Sequence, residues 1–333
     1  MNNNVNNDIK EIANYIGFEI VPNSWRECYD KAMELMPREI EWLKLDFLDN
    51  ALEFYKIKDE SLKLMYINSI MEISKNDLLK RYVFLCHYIL FIDKNFNYRD
   101  CWNWKATKEL INKHDNLNFN VIILLSGFKS HSKNMVNRGF DKKQIEYHKE
   151  GIKNCCINDY NRFNIKGIRF SQMVWGSYFI NTRLIQVGRL QYEFSDYNSK
   201  NIVKIHIPPN SPLDSVAVIE SLKKSRKEIE KYFKKYSEET LYTCSSWLLS
   251  SDLPRFLDEN SNIIKFQNLF QKTDEKTDKK DFLKFIFGEI FDVLDYKNLK
   301  ERTKLQRRIK EHLIKGKELH VGEGYINMEF WNR

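Results

Sequence analysis

The chain has 333 residues, a formal net charge of +8, 42% hydrophobic residues and seven tryptophans. That composition excludes an intrinsically disordered chain and, because single cores stop growing near ~250 residues, predicts two domains. The Asn-rich start, Met1 to Asn7, lacks the regions of a secretory signal. The longest apolar run, Val83 to Ile92, is broken by His87 and is far shorter than the ~20 residues a membrane helix needs. A cytoplasmic protein without a membrane partner is expected.

The first half reads as helical. Glu27 to Met36 ends at Pro37, Leu62 to Ile73 carries an apolar stripe, and Asp77 to Ile92 is apolar enough for a central buried helix. Asn112 to Asn120 reads as a polar loop. Asp141 and Gln144 form a capping-box pattern opening a helix toward Tyr160. The boundary is placed at Asn161 to Gly167, giving a helical domain over 1–166 and a second domain over 167–333.

After Gly167 the pattern turns extended. Phe170 to Trp175, Phe179 to Tyr192 and Ile202 to Ile207 are predicted strands. Ser211 as N-cap, Pro212 at the first position and Asp214 at the third announce a helix running to about Tyr236, with Ile219, Leu222, Ile229 and Phe233 at helical spacing. Then come a strand over Leu241 to Leu249, a short helix over Asp252 to Leu257, the segment Ile263 to Phe270, an exposed connector over Lys272 to Lys280, and a strand over Asp281 to Phe287. Residues 299–317 carry eight Lys/Arg and two Glu. Their stripe of Leu299, Leu305, Ile309 and Leu313 makes them an amphipathic helix with a solvated basic face, and nucleic acid is a disfavoured partner.

The six cysteines show no C-x-x-C pair and no Cys/His zinc spacing, so no metal is expected. They are expected to be reduced and mostly buried, with Cys155 and Cys156 packed in a helix.

GRLQYE (Gly188 to Glu193), HIPPNSPLD (His206 to Asp214), CSSWLL (Cys244 to Leu249), SNIIKFQNLF (Ser261 to Phe270) and LQRRIKEHL (Leu305 to Leu313) occur in this order. Together they resemble a bacterial family of GNAT-like acyltransferases over roughly Ser126 to Tyr325. The resemblance implies an α+β fold, with a helical N-terminal domain followed by a GNAT-like mixed-sheet domain. It also implies acyl-CoA or acetyl-CoA as co-substrate and an amine or peptide as acceptor.

The chemistry needs a base for the ammonium, a donor to polarise the thioester and an acid for the leaving thiolate. In the superfamily a glycine-rich R/Q-x-x-G-x-G/A loop holds the pyrophosphate; here the stretch is Pro208 to Leu213. Its three prolines lack N–H donors, and Asp214 adds a repelling charge in the first turn. Ile207, Asn210, Ser211 and Leu213 remain as the expected cofactor-binding positions, while Ser211 and Asp214 also read simply as helix caps.

Alternation puts His206 on the face opposite Ile205 and Ile207, where a neutral imidazole can take a proton. Arg189, Gln191 and Glu193 share one face of the preceding strand, as either a solvated surface or the polar wall of a cleft. Glu193 and His206 are the candidate catalytic residues, with Glu193 first as base, and Arg189 and Gln191 the candidate substrate-binding ones. The superfamily's acid is often a tyrosine after the fifth strand, but none lies between Tyr242 and Tyr296, which leaves that role unfilled unless Cys244 or Ser245 takes it. Cys244 also admits a nucleophile reading with His206 and Glu193, against that of a buried thiol beside an inward-packed Trp247. His131 and Arg138 match a recurring feature of the family without an assigned role.

Two functions follow. One is an acyl-CoA-dependent N-acyltransferase; the other is a GNAT-derived non-catalytic ligand- or protein-binding module that has lost the pyrophosphate loop.

Overall fold

The computed structural model describes residues 3–93, 98–102, 104, 117–163, 167–197, 200–208, 212–236, 240–288, 293, 295–326 and 328–331. The chain forms two compact units, Met1–Thr182 and Arg183–Arg333. The first is helical; the second is built on a mixed six-stranded sheet.

In the helical unit α1 (Asn3–Ile16), α2 (Asn23–Leu35), α3 (Leu45–Phe54), α4 (Glu60–Lys75) and α5 (Asp77–His87) come first. Asp59 and Asn76 cap α4 and α5 by accepting backbone N–H groups, as short polar side chains do at helix starts. A short α6 (Tyr98–Cys101) precedes α7 (Leu117–Ser126), α8 (Phe128–Arg138), α9 (Lys142–Phe163) and α10 (Phe170–Ile180). The expected loop at Asn112 to Asn120 is corrected from Leu117 onward; residues 112–116 lie outside the described residues. Asn118 and Asn120 are buried within α7. Asn120 accepts from the Tyr82 hydroxyl (3.2 Å) and donates to the Ile168 carbonyl (2.9 Å), so a residue that reads as loop is a satisfied core amide. Asp141 accepts from the Gln144 N–H (3.0 Å) at the start of α9, as its spacing predicts.

The expected strand at Phe170 to Trp175 is also corrected. FSQMVWGSYFI is α10, apolar on nearly every side because it is buried on nearly every side, a pattern that period-2 reading mistakes for a strand. Two glycines let its neighbours approach: a Cβ on Gly151 of α9 would sit 2.1 Å from the Phe179 ring, and one on Gly176 of α10 2.6 Å from a Leu124 methyl. With α10 in the helical unit, the two units divide at Thr182/Arg183 and not at 166/167. The junction residue Thr182 is left-handed, with φ +49°, a costly conformation for a β-branched residue.

The sheet unit has the strand order β1-β2-β3-β4-β6-β5, with β1 Leu184–Val187, β2 Leu190–Tyr197, β3 Lys200–His206, β4 Leu241–Ser246, β5 Phe270–Thr277 and β6 His320–Ile326. All neighbours are antiparallel except β3 and β4, which α11 (Ser215–Tyr232) joins as a parallel crossover. One face of the sheet is apolar. Leu190, Tyr192, Phe194, Val203, Ile205 and Tyr242 are buried there, and α11 docks through Ser221, whose hydroxyl meets the Leu190 N–H (3.2 Å) and the Tyr192 hydroxyl (3.2 Å). A second core gathers Leu253, Phe282, Leu299, Ile309 and Leu313, with Trp247 packed against it.

Several other expectations are corrected here. Residues 241–249 divide into β4 and a 3₁₀ turn, Trp247–Leu249. The connector Lys272 to Lys280 is largely β5, whose residues beyond Phe270 are all exposed and polar or charged; such an edge strand offers polar side chains against unwanted pairing. Asp281 to Phe287 is helical, as α13 (Lys279–Phe282) running into a π-turn, because Phe282 and Leu283 insert together into the second core. α12 (Asn262–Gln267), α14 (Lys304–Ile314) and α15 (Met328–Trp331) complete the unit; α14 buries Ile309 and Leu313 as its stripe predicts.

Among the described residues, no helix is long and apolar enough to cross a membrane, and no cluster of His, Cys, Asp and Glu could hold a metal ion. All six cysteines are buried.

Candidate active site

The second face of the sheet is polar, and its register brings the candidate residues together. Cross-strand partners share a face, so the pairs Gln191↔His206, Glu193↔Lys204, Lys204↔Thr243 and Thr243↔Tyr325 build one surface across β2, β3, β4 and β6. At its centre the Glu193 carboxylate is buried, with only 5% of its side chain exposed, while Lys204 and His206 are 38% and 34% exposed. Lys204 Nζ donates to Glu193 Oε1 (3.0 Å) and His206 Nε2 to Glu193 Oε2 (2.8 Å). Burial pushes the carboxyl upward in pKa, but the hydrogen bond and charge of His206, joined by Lys204, outweigh it and hold Glu193 below the ordinary carboxylate range. Glu193 is therefore an ionised orienter committed on both oxygens. In a neutral imidazole whose Nε2–H is given to a carboxylate, the basic lone pair is on Nδ1.

Gln191 is buried beside this pair. Arg189 is not: Gly188 and Arg189 form the exposed two-residue turn between β1 and β2. Gly188 takes φ +59°, which a type II′ hairpin uses at its first loop position. The expected three-residue polar row thus reduces to Gln191 and Glu193, because the strand begins one residue later than alternation alone suggests.

The nucleophile reading of Cys244 is overturned. Cys244 sits between Thr243 and Ser245 and so points to the apolar face, away from His206 and Glu193, and burial pushes its thiol up to about 12. His131 is a core residue of the helical unit, fully buried with Nδ1 3.0 Å from the Tyr55 hydroxyl. Arg138 ends α8 just before Gly139, whose φ of +70° closes the helix.

Beyond β3, Ile207 is half-buried and follows the last ladder residue. Asn210 and Ser211 lie outside the described residues. The expected N-cap at Ser211 is corrected, since α11 starts at Ser215 and its cap is Asp214, which accepts from the Ala217 N–H (2.9 Å). Leu213, Ser215, Val218 and Ile219 at the start of α11 face Lys265, Phe266 and Leu269 across a cavity of about 230 Å³. Among the described residues the buried Ser215 hydroxyl there has no hydrogen-bond partner, and it lies on the same cavity as Lys265.

The pairing of β3 with β4 stops short of the ends of both strands. Parallel β3 and β4 pair only at Ile202↔Leu241, Val203↔Tyr242 and Lys204↔Thr243, although β3 runs on to His206 and β4 to Ser246. The strands part on the side where the chain enters α11.

Residues 184–326 match the family described as the GNAT-like C-terminal domain. This part of the chain is a GNAT-like C-terminal domain. The likeness in solved structures extends over the helical unit as well. An acyltransferase mutant in complex with octanoyl-CoA superposes with a TM-score of 0.76 at 18% identity, covering 96% of this chain and 99% of that one. An acyltransferase in complex with decanoyl-CoA and teicoplanin gives 0.75 at 19% identity over the same shares, and one in complex with CoA and 10C-teicoplanin gives 0.75 at 18%. At such identities the likeness establishes the shared fold. No curated protein sequence matches the chain.

Proposed function

We propose that the protein is an acyl-CoA-dependent N-acyltransferase in which the GNAT-like domain binds the thioester and activates an amine. The observation that carries this reading is the parting of β3 and β4 beside the His206–Glu193 pair. An extended pantetheine arm carries amides of its own, and two strands that stop pairing leave it backbone N–H and C=O groups to bond. Its phosphate end would then lie by the start of α11, where Ser215 and Lys265 offer a hydroxyl and a charge. The acyl-CoA complexes of the superposable acyltransferases support the donor, and the teicoplanin complexes support a large peptide-like acceptor.

The reaction forms a C–N bond and breaks a C–S bond. His206 Nδ1 takes the ammonium proton, Glu193 steadies the imidazolium through Nε2–H, and Lys204 keeps Glu193 ionised. The freed amine attacks the thioester carbonyl, the C–S electron pair leaves on sulfur, and the second proton that the nitrogen sheds on becoming an amide balances the one the sulfur takes up as CoA leaves as a thiol. General-base assistance of this kind contributes ~10²–10⁴-fold.

One feature favours the non-catalytic reading: Asp214 occupies the helix start where a pyrophosphate would bind, and three prolines precede it. Thermal unfolding with CoA, octanoyl-CoA and decanoyl-CoA separates the two. The enzyme reading predicts saturable stabilisation of ~2.7 kcal/mol at ~100 times the dissociation constant. No stabilisation by any of the three overturns it.

A further inference from the structure

CoA ends its pantetheine arm in a pyrophosphate and a 3′-phosphate, and the start of α11 is poorly suited to that much charge. Asp214 caps the helix with its own carboxylate, which takes the Ala217 N–H (2.9 Å) and leaves a negative charge in the turn. Of the first-turn N–H groups, those of Ser215 and Val216 remain for a ligand. Beside them the buried Ser215 hydroxyl has no hydrogen-bond partner among the described residues, and it shares its cavity with Lys265. Such a set of donors fits a single phosphodiester, whereas a further phosphate would meet Asp214.

A single phosphodiester at the end of a pantetheine arm is what joins the arm to a serine of a carrier protein. Such carriers are small and acidic, and the sheet unit offers them a cationic surface. Residues 299–317 carry eight Lys/Arg against two Glu. Glu301 is taken by Arg307 and Lys310. Lys300, Arg302, Lys304, Lys315 and Lys317 are exposed on and around α14, and among the described residues none of them is held in an ion pair. Charge left uncompensated in this way steers an acidic partner. The surface adjoins the cavity: Ile264 of α12 packs in one core with Ile309 and Leu313 of α14, and its neighbour Lys265 lines the cavity at the start of α11.

Resting on the acyltransferase reading above, we propose that the acyl group also arrives on the 4′-phosphopantetheine arm of an acidic carrier protein docked on α14, and that this donor is used in preference to CoA. The phosphodiester lies at Ser215 and Lys265, and the arm runs on toward the parted strands β3 and β4. The bonds that form and break are those of the reaction above, with the thiol leaving on the carrier's arm instead of on CoA.

The test uses the full chain and follows thiol release from decanoyl-CoA and from the decanoyl thioester of an acyl carrier protein, each with an amino sugar, an amino-acid amide and a polyamine. The carrier thioester is expected to give a kcat/KM at least ~10-fold above that of decanoyl-CoA at ~50 mM salt, an advantage lost at ~0.5 M as the basic surface is screened. A variant carrying Lys300→Glu, Arg302→Glu and Lys304→Glu is expected to lose about tenfold in kcat/KM for the carrier and to keep that for decanoyl-CoA within about twofold. Ser215→Ala is expected to raise KM for both donors with kcat kept. A kcat/KM for decanoyl-CoA equal to or above that for the carrier, a carrier rate insensitive to salt and to the charge reversals, or carrier turnover blocked by short duplex DNA but not by the unacylated carrier overturns the inference and leaves the acyltransferase reading intact. No thiol from either donor with any of the amines overturns that reading, and the inference with it.

Discussion

Three histidines of the helical unit and two of the sheet unit have opposite surroundings, while the sheet unit's His312 is buried against the Glu318 carbonyl (2.9 Å) in the manner of the helical ones. In the helical unit His87, His131 and His148 are held by uncharged partners: His87 Nδ1 meets the Ser126 hydroxyl (2.6 Å), His131 the Tyr55 hydroxyl, and His148 Nδ1 the Phe179 carbonyl (3.1 Å). Burial alone pushes His87 down to about 4, and burial with the neighbouring His148 pushes His131 well below the ordinary value. In the sheet unit His206 and His320 are each one-third exposed and bonded to a buried carboxylate, Glu193 and Asp252. The first environment keeps an imidazole neutral as a packing group. The second leaves the imidazole within reach of solvent and held by a carboxylate, the arrangement in which a side chain can meet a substrate proton.

The largest expected effect separates the two roles. His206→Ala should reduce kcat ~10²–10⁴-fold with unfolding little changed, whereas His131→Leu should strand the buried Tyr55 hydroxyl and destabilise the fold by about 1–3 kcal/mol. Steady-state rates and denaturant titrations of both variants check the contrast, and a stability loss at His206 equal to that at His131 would erase it.

Acid should act on the helical unit next. Because the folded state holds His87 near 4 against ~6.5 unfolded, the contribution of His87 to stability falls as pH drops from about 6.5 to 4, by roughly 3 kcal/mol. Urea midpoints across that range measure it; His87→Leu should flatten the slope.

The smallest effect concerns His320. Its hydrogen bond to Asp252 (2.9 Å) and the Asp252 charge raise its pKa despite partial desolvation, so its contribution is present below about 6.5 and is lost as pH rises through the folded value. Asp252→Asn should bring the His320 titration, followed by NMR, back toward the ordinary value.

Legibility in the sequence follows local chemistry. β2, β3 and α11 are readable because GRLQYE and VKIHI alternate, and the same alternation puts Glu193 on one face of its strand and His206 on one face of the next. Whether those faces meet is decided by register, which no spacing reveals: Arg189 was grouped with Glu193 until the turn claimed it. β6 was missed because HVGEGYI carries two glycines that read as breakers. In the sheet they are close-approach points, since a Cβ on Gly322 would sit 2.3 Å from the Leu249 carbonyl oxygen. With β6 unseen, Tyr325 could not be placed beside Thr243. α10 was misread because a helix buried all round has no period to show.

The central claim is that Glu193 acts through His206 on an acyl-CoA reaction, and Glu193→Gln in the thiol-release assay tests it most directly. The substitution keeps shape while removing the charge that orients the imidazole. The account predicts kcat for decanoyl-CoA at least ~10²-fold lower, KM within about threefold, and a stability loss below about 2 kcal/mol because Lys204 and His206 can turn to water. An unchanged kcat in a folded Glu193→Gln protein would contradict it.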